Sequence, residues 1–320
     1  MNAKALWYLD AGKAEIREHQ LEAPARNQVQ VRARFGALSR GTESLVFHRR
    51  IPPSEFERMR APFQWGTLPD AISYGYVSVG EVESGDPERE GEGVFCLHPH
   101  HTRYTVPGEA AHPIPAQVPL ERAILAANLE TALNALWDGE VLAGHRVQVR
   151  GAGVVGCLIA RLARRIPGVD VEIVDPNPER QRVASALSLE FATPDTASSD
   201  WDRVFECSGR PKAAAQALSA LKTEGSLVVV SWYGESPVTL PLGADFHSRR
   251  LKIVCSQVGR VSPKMGHFTF TDRLRLALKL LDDPPLDVLV SEEVAFDELP
   301  AALPHLFSPA YRGLCTRILY

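Results

Sequence analysis

At 320 residues the chain has room for about two domains. Its 45% hydrophobic and 23% charged residues are ordinary for a globular protein, and a net charge of −4 with a pI near 6.2 gives no electrostatic footing for nucleic acid or an anionic membrane. No apolar run is long enough to span a bilayer, and the opening MNAKALWYLDAGKAEI lacks the apolar stretch of a secretory leader. The five cysteines (Cys96, Cys157, Cys207, Cys255, Cys315) are scattered, odd in number and without CxxC spacing, which argues against a disulfide framework or a cysteine zinc site and for a reduced, cytoplasmic setting.

Residues 1–118 read as β-rich, with alternation at Val29–Ala33, Tyr74–Val82 and Gly93–Cys96 between Gly, Pro and Asp turn signals. From Leu120 the pattern changes to a helix, Leu120–Trp137, whose Ile124, Leu125, Leu129, Leu133 and Leu136 recur at helical spacing. Strands and helices then alternate: Val147–Val149, helix 154–165, Val171–Val174, helix 178–188, Arg203–Glu206, helix 211–222, Ser226–Ser231 and Leu251–Ser256. Short connections between alternating elements specify an α/β domain with a doubly wound parallel sheet over 119–260. A segment from 261 to 320 follows, with a helix Thr271–Leu281, a short strand at Leu289–Val290, a helix Phe296–Leu306 and a terminal strand Cys315–Tyr320; it is expected to rejoin the first domain.

The stretch from His145 to Asp175 carries the strongest functional signal. After the strand comes Gly151-Ala152-Gly153-Val154-Val155-Gly156, then a helix rich in small residues, then a second strand ending in Asp175, 24 positions after Gly151. Gly151 permits the tight turn, Gly153 lets a pyrophosphate approach the backbone, and Gly156 lets the helix pack on the sheet, with the helix N-terminus at Val154 and Val155 facing the phosphates. Asp175 accepts hydrogen bonds from both adenosine ribose hydroxyls and repels a 2′-phosphate, which favours NAD over NADP. Arg180 is the opposing feature, since a nearby Arg accommodates that phosphate. Cys207-Ser208 and Ser231-Trp232-Tyr233 follow later strands of the sheet, where α/β ligands bind, and join the cofactor candidates.

The order of domains resembles the medium-chain dehydrogenase/reductase superfamily, in which a GroES-like catalytic domain precedes a Rossmann domain. The resemblance rests on Arg40-Gly41-Thr42-Glu43, Gly75 through Val82, the turn Tyr104-Thr105-Val106-Pro107 and the glycine motif, and it covers nearly the whole chain. Tyr74-Gly75-Tyr76, Cys96 through His101, Ser231 through Gly234, and Phe246 through Leu251 with Ser256 through Gly259 are similar to a compact branch that includes bacteriochlorophyllide hydroxyethyl dehydrogenases. Where zinc enzymes of that superfamily carry ligands, this chain has Arg40, Tyr76, Val77 and a third position near Ala127; the lobe of four cysteines is also missing, so the resemblance implies no zinc. It further implies Thr131 beside the nicotinamide, an Arg (Arg317) reaching the pyrophosphate, and a homodimer through the edge strand 251–256.

Without a metal, the developing alkoxide needs another electrophile and a proton carrier. Arg40 offers a fixed charge, or only pairs with Glu43 or Glu130. Tyr76 offers a phenol, or is a packed aromatic. Thr42 matches the relay hydroxyl of alcohol dehydrogenases, but Leu45 stands where the next relay member, a His, is usual. In Leu97-His98-Pro99-His100-His101, His100 or His101 can act as acid or base, or the histidines are solvated; their spacing in a proline-containing loop does not converge them on a metal. Glu130 can pair, move a proton, or sit exposed on its helix. The expected function is a zinc-independent oxidoreductase passing hydride between NAD(H) and a secondary alcohol or ketone, polyol-like, cyclitol-like or hydroxyalkyl. An NADPH-dependent enoyl or quinone reductase and a catalytically inactive nucleotide-binding protein are the alternatives.

Overall fold

The computed structural model describes residues 1–243 and 245–320. In chain order its elements are β1 (Asn2–Asp10), β2 (Lys13–Gln20), β3 (Gln28–Ala37), α1 (Arg40–Phe47), β4 (Ser78–Ser84), β5 (Gly93–Cys96), β6 (Arg103–Pro107), β7 (His112–Pro113), α2 (Leu120–Ala123) and α3 (Ala126–Asp138). There follow β8 (Arg146–Arg150), α4 (Val154–Arg164), β9 (Asp170–Val174), α5 (Arg180–Ala186), β10 (Glu190–Ala192), β11 (Trp201–Glu206), α6 (Pro211–Ala220), β12 (Leu221–Val229) and β13 (Lys252–Cys255). The chain closes with α7 (Phe270–Leu280), β14 (Val290–Ala295), α8 (Leu299–Leu306) and β15 (Cys315–Leu319).

Two compact units result: Met1–Ala127 with Leu278–Asp282 and Val290–Tyr320, and Asn128–Ala277 with Asp283–Leu289. The division falls inside α3 rather than at residue 118, and 261–277 stays with the second unit. In the first unit β1 and β2 form a hairpin that turns at Gly12 (φ +75°), while the larger sheet runs β14-β15-β3-β4-β5-β7, with β6 pairing β3. Inward-facing Val29, Val31, Val82, Val94, Cys96, Tyr104 and Val106 build its core. The late strands β14 and β15 thus return to the sheet of the first unit.

The second unit's six strands are all parallel, in the order β10-β9-β8-β11-β12-β13. Counted from β8 this is the doubly wound order 3-2-1-4-5-6, whose direction reverses between β8 and β11. The expected Rossmann sheet and β-rich domain are therefore both present. Full burial of Leu158 and Ile159 on α4 against β8 and β9 contributes about 1.5–3 kcal/mol per side chain.

Several expected boundaries move, each for a local reason. The strand expected from Tyr74 begins only at Ser78, because Gly75 at φ +127° leaves the extended region. Tyr104–Pro107 is not a turn but strand β6, paired along β3. The single helix expected from Leu120 to Trp137 is two, the first closed by a tight Leu125 N–H to Arg122 carbonyl bond. Helix 211–222 stops at Ala220, since Leu221 already pairs with Trp201 in β12. The hairpin β1–β2 and helix α1 went unpredicted; β2 alternates between half-buried and exposed positions without an apolar face.

Candidate active site

The end of β8 builds the nucleotide side. Gly151 leaves the strand at φ +108°, and a Cβ there would lie 2.9 Å from the backbone of Cys207 and Ser208, so both backbone freedom and a close approach require glycine. At Gly156, within α4, a Cβ would collide with the Gly151 carbonyl oxygen. At Gly153, the residue preceding α4, a Cβ meets nothing within 4 Å, so approach to the half-exposed Val154–Val155 turn is open. Asp175 Oδ2 accepts the Ala152 N–H at 2.9 Å and Oδ1 accepts the Asn177 N–H at 2.9 Å. Each oxygen keeps a lone pair for a ribose hydroxyl. Arg180 opens α5, near enough to act with Asp175 on the Cys157 thiol, which burial pushes up to about 12. These residues fit a dinucleotide: a cradle with room for phosphate oxygens and a carboxylate with acceptor capacity to spare.

Around the carboxyl ends of β11 and β12 the polar atoms of Ser208, Ser231 and Tyr233 converge on Glu206, with Trp232 half-buried beside them. Cys207 donates its N–H to the Arg150 carbonyl at 2.8 Å. Sequence reasoning missed Glu206, although an acid closing an otherwise apolar Val204-Phe205 strand end was its signal. Thr131 is half-buried on α3.

The first unit holds a second constellation, gathered from residues far apart in sequence. Glu43, fully buried on α1, accepts the Ser39 N–H on Oε1 at 2.7 Å; its Oε2 lies 2.8 Å from the Tyr8 hydroxyl and 2.8 Å from His100 Nε2. His100 Nδ1 faces the Tyr320 hydroxyl at 3.4 Å. Room for the imidazole comes from Gly75, where a Cβ would lie 2.7 Å from His100 Nε2. Burial and the Glu43 charge raise the Tyr8 and Tyr320 phenols above their ordinary range. Tyr76 donates its hydroxyl to Ser39 Oγ. Burial pushes this phenol up to about 12, against the opposing pull of hydrogen bonds from Ser39 and Thr42 and with a further push from Glu43. Tyr76, Thr42, Ser39, Glu43 and His100 therefore form one group, in which Glu43 is the hub that sequence reasoning treated only as a partner for Arg40.

Other candidates are engaged elsewhere. Arg40 donates to the Ser308 carbonyl at 3.0 Å and lies over the Tyr311 ring, while Glu43 directs both oxygens into its own cluster. Glu130 is neither exposed nor aimed at Arg40: it is buried, and its carboxylate takes the Arg273 Nε–H at 3.0 Å, with burial raising its pKa despite that cation. Arg273, itself fully buried, also donates to Asn134 and to the Val258 and Arg260 carbonyls. His101 is buried against Ser73, His98 and Trp65, and burial holds it well below the ordinary histidine range. His98 stacks on Tyr104, donates to the Pro99 carbonyl and is held at about 3 by burial. The histidines of the 98–101 run are thus packed rather than solvated. Arg317 does not extend a free guanidinium; it pairs with Glu293 on the neighbouring strand and lies over Phe35.

A catalytic zinc does not fit this donor set. Arg40, Tyr76, Val77 and Ala127 offer no thiolate or imidazole, and Glu43 and His100 spend their polar atoms on each other. Among the described residues no group of three His, Cys, Asp or Glu side chains is disposed to hold a metal ion.

No family profile matches the sequence. A 2-dehydro-3-deoxy-L-galactonate 5-dehydrogenase of Pseudoalteromonas atlantica is 28% identical over 145 residues; the chain covers 42% of that relative's length, and 42% of the chain is aligned. A D-guloside 3-dehydrogenase of Escherichia coli is 25% identical over 273 residues, covering 76% of the chain and 78% of the relative. A 2-desacetyl-2-hydroxyethyl bacteriochlorophyllide A dehydrogenase of Cereibacter sphaeroides is 26% identical over 259 residues, covering 73% and 75%. The crystal structure of L-idonate 5-dehydrogenase from Escherichia coli superposes with a TM-score of 0.81 at 17% identity, covering 100% of this chain and 99% of that one.

Proposed function

The chain carries the fold of the medium-chain dehydrogenases/reductases and has its sequence relatives among them; on that premise we propose that it is a nicotinamide-dependent oxidoreductase interconverting a secondary alcohol and a ketone without a catalytic zinc. The observation that carries the reading is the glycine turn at the sheet's reversal point, closed by Asp175. The polyol and hydroxyalkyl dehydrogenases among the relatives support an alcohol substrate of polyol-like, cyclitol-like or hydroxyalkyl type.

The α4 N-terminus with Gly151, Gly153 and Gly156 would hold the pyrophosphate, and Asp175 the adenosine ribose, which favours NAD. A bound nicotinamide supplies the hydride chemistry. The protein's share is the oxygen. Tyr76, protonated throughout the neutral range by burial, is the group to give a proton to the substrate oxygen, its hydroxyl meanwhile held by Ser39 Oγ and Thr42, while Arg40 is left out because its guanidinium is engaged by the Ser308 carbonyl and the Tyr311 ring. The buried Glu43–His100 pair braces Ser39 from behind. Glu130 is left out of the catalytic set because Arg273 takes its carboxylate, His101 because its Nε2 is held by Ser73 in an aromatic pocket, and Arg317 is left out of the cofactor set because it is paired with Glu293.

Edge strand β13, with exposed Ile253 and Cys255, supports a homodimer through 251–256, checked by sedimentation of an Ile253→Lys variant. The scattered free cysteines support a cytoplasmic setting. A second reading, an NADPH-dependent enoyl or quinone reductase, is favoured by one feature, Arg180 beside Asp175. Screening secondary alcohols with NAD against enones with NADPH separates the two. Turnover of alcohols alone supports the first reading, enones alone the second, and silence in both supports a nucleotide-binding protein without catalysis.

A further inference from the structure

Glu206 is the last residue of β11, beside the point where the sheet order reverses, and it is fully buried. An acid there is costly unless its lone pairs are filled. Every one of its acceptors is used, and each ties down a loop. Oε1 accepts the Ser208 N–H at 2.7 Å and the Ser208 hydroxyl, and Oε2 accepts the Tyr233 hydroxyl at 2.6 Å. Its carbonyl oxygen takes the Val230 N–H at 3.0 Å, the Ser231 N–H at 3.2 Å and the Ser231 hydroxyl at 3.4 Å. Ser231 Oγ in turn accepts the Gly209 N–H at 2.8 Å. One residue therefore links the 207–209 turn after β11 to the 230–233 loop after β12. The held turn also backs the phosphate cradle, because Cys207 and Ser208 are the atoms that a Cβ at Gly151 would strike.

The polarity of the sheet says which half of a cofactor these loops face. Asp175 ends β9, on one side of the reversal, and defines the adenosine half; the pyrophosphate crosses at β8. The loops after β11 and β12 lie on the other side, where the nicotinamide half must run. We propose that Glu206 is a positioning residue that clamps these two loops into the wall for the nicotinamide half of the cofactor. This rests on the nicotinamide reading above. It also changes the role of Ser208, Ser231 and Tyr233, whose hydroxyls are spent on the clamp and which shape the wall rather than reach for the ligand.

The test compares two probes on the full chain: NADH, followed by fluorescence titration, and AMP, followed by isothermal titration. Glu206→Gln keeps the size of the side chain but turns one acceptor into a donor facing Ser208 or Tyr233. It is expected to weaken NADH about tenfold while AMP stays within about twofold, since AMP occupies only the adenosine half. Tyr233→Phe, which removes one hydroxyl and keeps the ring, is expected to weaken NADH about threefold with AMP again unchanged. If Glu206→Gln does not fold, the Tyr233→Phe result decides alone. NADH and AMP weakening together, or NADH holding its affinity in the folded variants, overturns the clamp. A wild-type chain that binds AMP but neither NADH nor NADPH sinks the cofactor reading itself, and the clamp with it.

Discussion

The two units hold their polar constellations in opposite ways. In the second unit the glycine turn is written within one βαβ run: Gly151, Gly153 and Gly156 lie within six positions and Asp175 follows one helix and one strand later. In the first unit Tyr8, Ser39 with Glu43, Tyr76, His100 and Tyr320 come from five separate segments and meet only because the sheet brings them together. The first kind of site depends on backbone shape, the second on mutual satisfaction of buried groups. A substitution should therefore harm one site through sterics and the other through an orphaned charge or hydroxyl.

Glu43→Ala tests the second kind most severely. It leaves His100, Tyr8 and the Ser39 N–H without their acceptor, and three orphaned buried groups give an expected loss of about 3 kcal/mol or more of stability in urea unfolding. NADH affinity of the folded fraction should hold, because the nucleotide turn lies in the other unit; a parallel loss of NADH binding would erase the contrast. Gly156→Val tests the first kind. Its side chain strikes the Gly151 carbonyl oxygen, with an expected loss of about 1–3 kcal/mol and of at least tenfold in NADH affinity, read by fluorescence.

Acidification should sharpen the contrast further. His98 is held at about 3 and His101 well below 6.5 by burial, so below pH 6.5 the unfolded chain binds protons that the folded chain refuses. Stability is then fully present above pH 6.5 and falls on acidification, for His98 by about 1.4 kcal/mol per pH unit towards pH 3, with His101 adding to the fall in the same direction. His98→Phe should flatten that slope in unfolding measured between pH 7 and 5, and an unchanged slope would contradict the burial argument. The smallest effect belongs to Arg317→Ala. Loss of a cross-strand pair with half-exposed Glu293 should remain under about 1 kcal/mol. NADH affinity should stay within about twofold, whereas a large loss would restore Arg317 to the pyrophosphate.

Legibility in the sequence followed the same divide. The doubly wound sheet and the turn were readable because each feature has a local cause: alternating periodicity, glycines at fixed offsets, an acid at a strand end. Tyr76 and His100 were named as candidates by position, but their partners were not, since nothing near Tyr8 or Tyr320 signals a contact with residues 43 and 100. Glu130 shows the converse, a carboxylate in an apolar helix that invited a catalytic role but was matched by Arg273, a residue 143 positions away on α7. Packing partners of buried charges are long-range facts, and a chain read in one dimension carries no trace of them.

The most direct measurement is oxidation of a secondary-alcohol panel by NAD, followed through NADH absorbance, on protein stripped by a strong chelator and assayed for metal in the same sample. The account predicts turnover that survives stripping with far less than one zinc per chain, and that collapses by about a hundredfold in Tyr76→Phe. Activity that vanishes on stripping and returns with added zinc would contradict it.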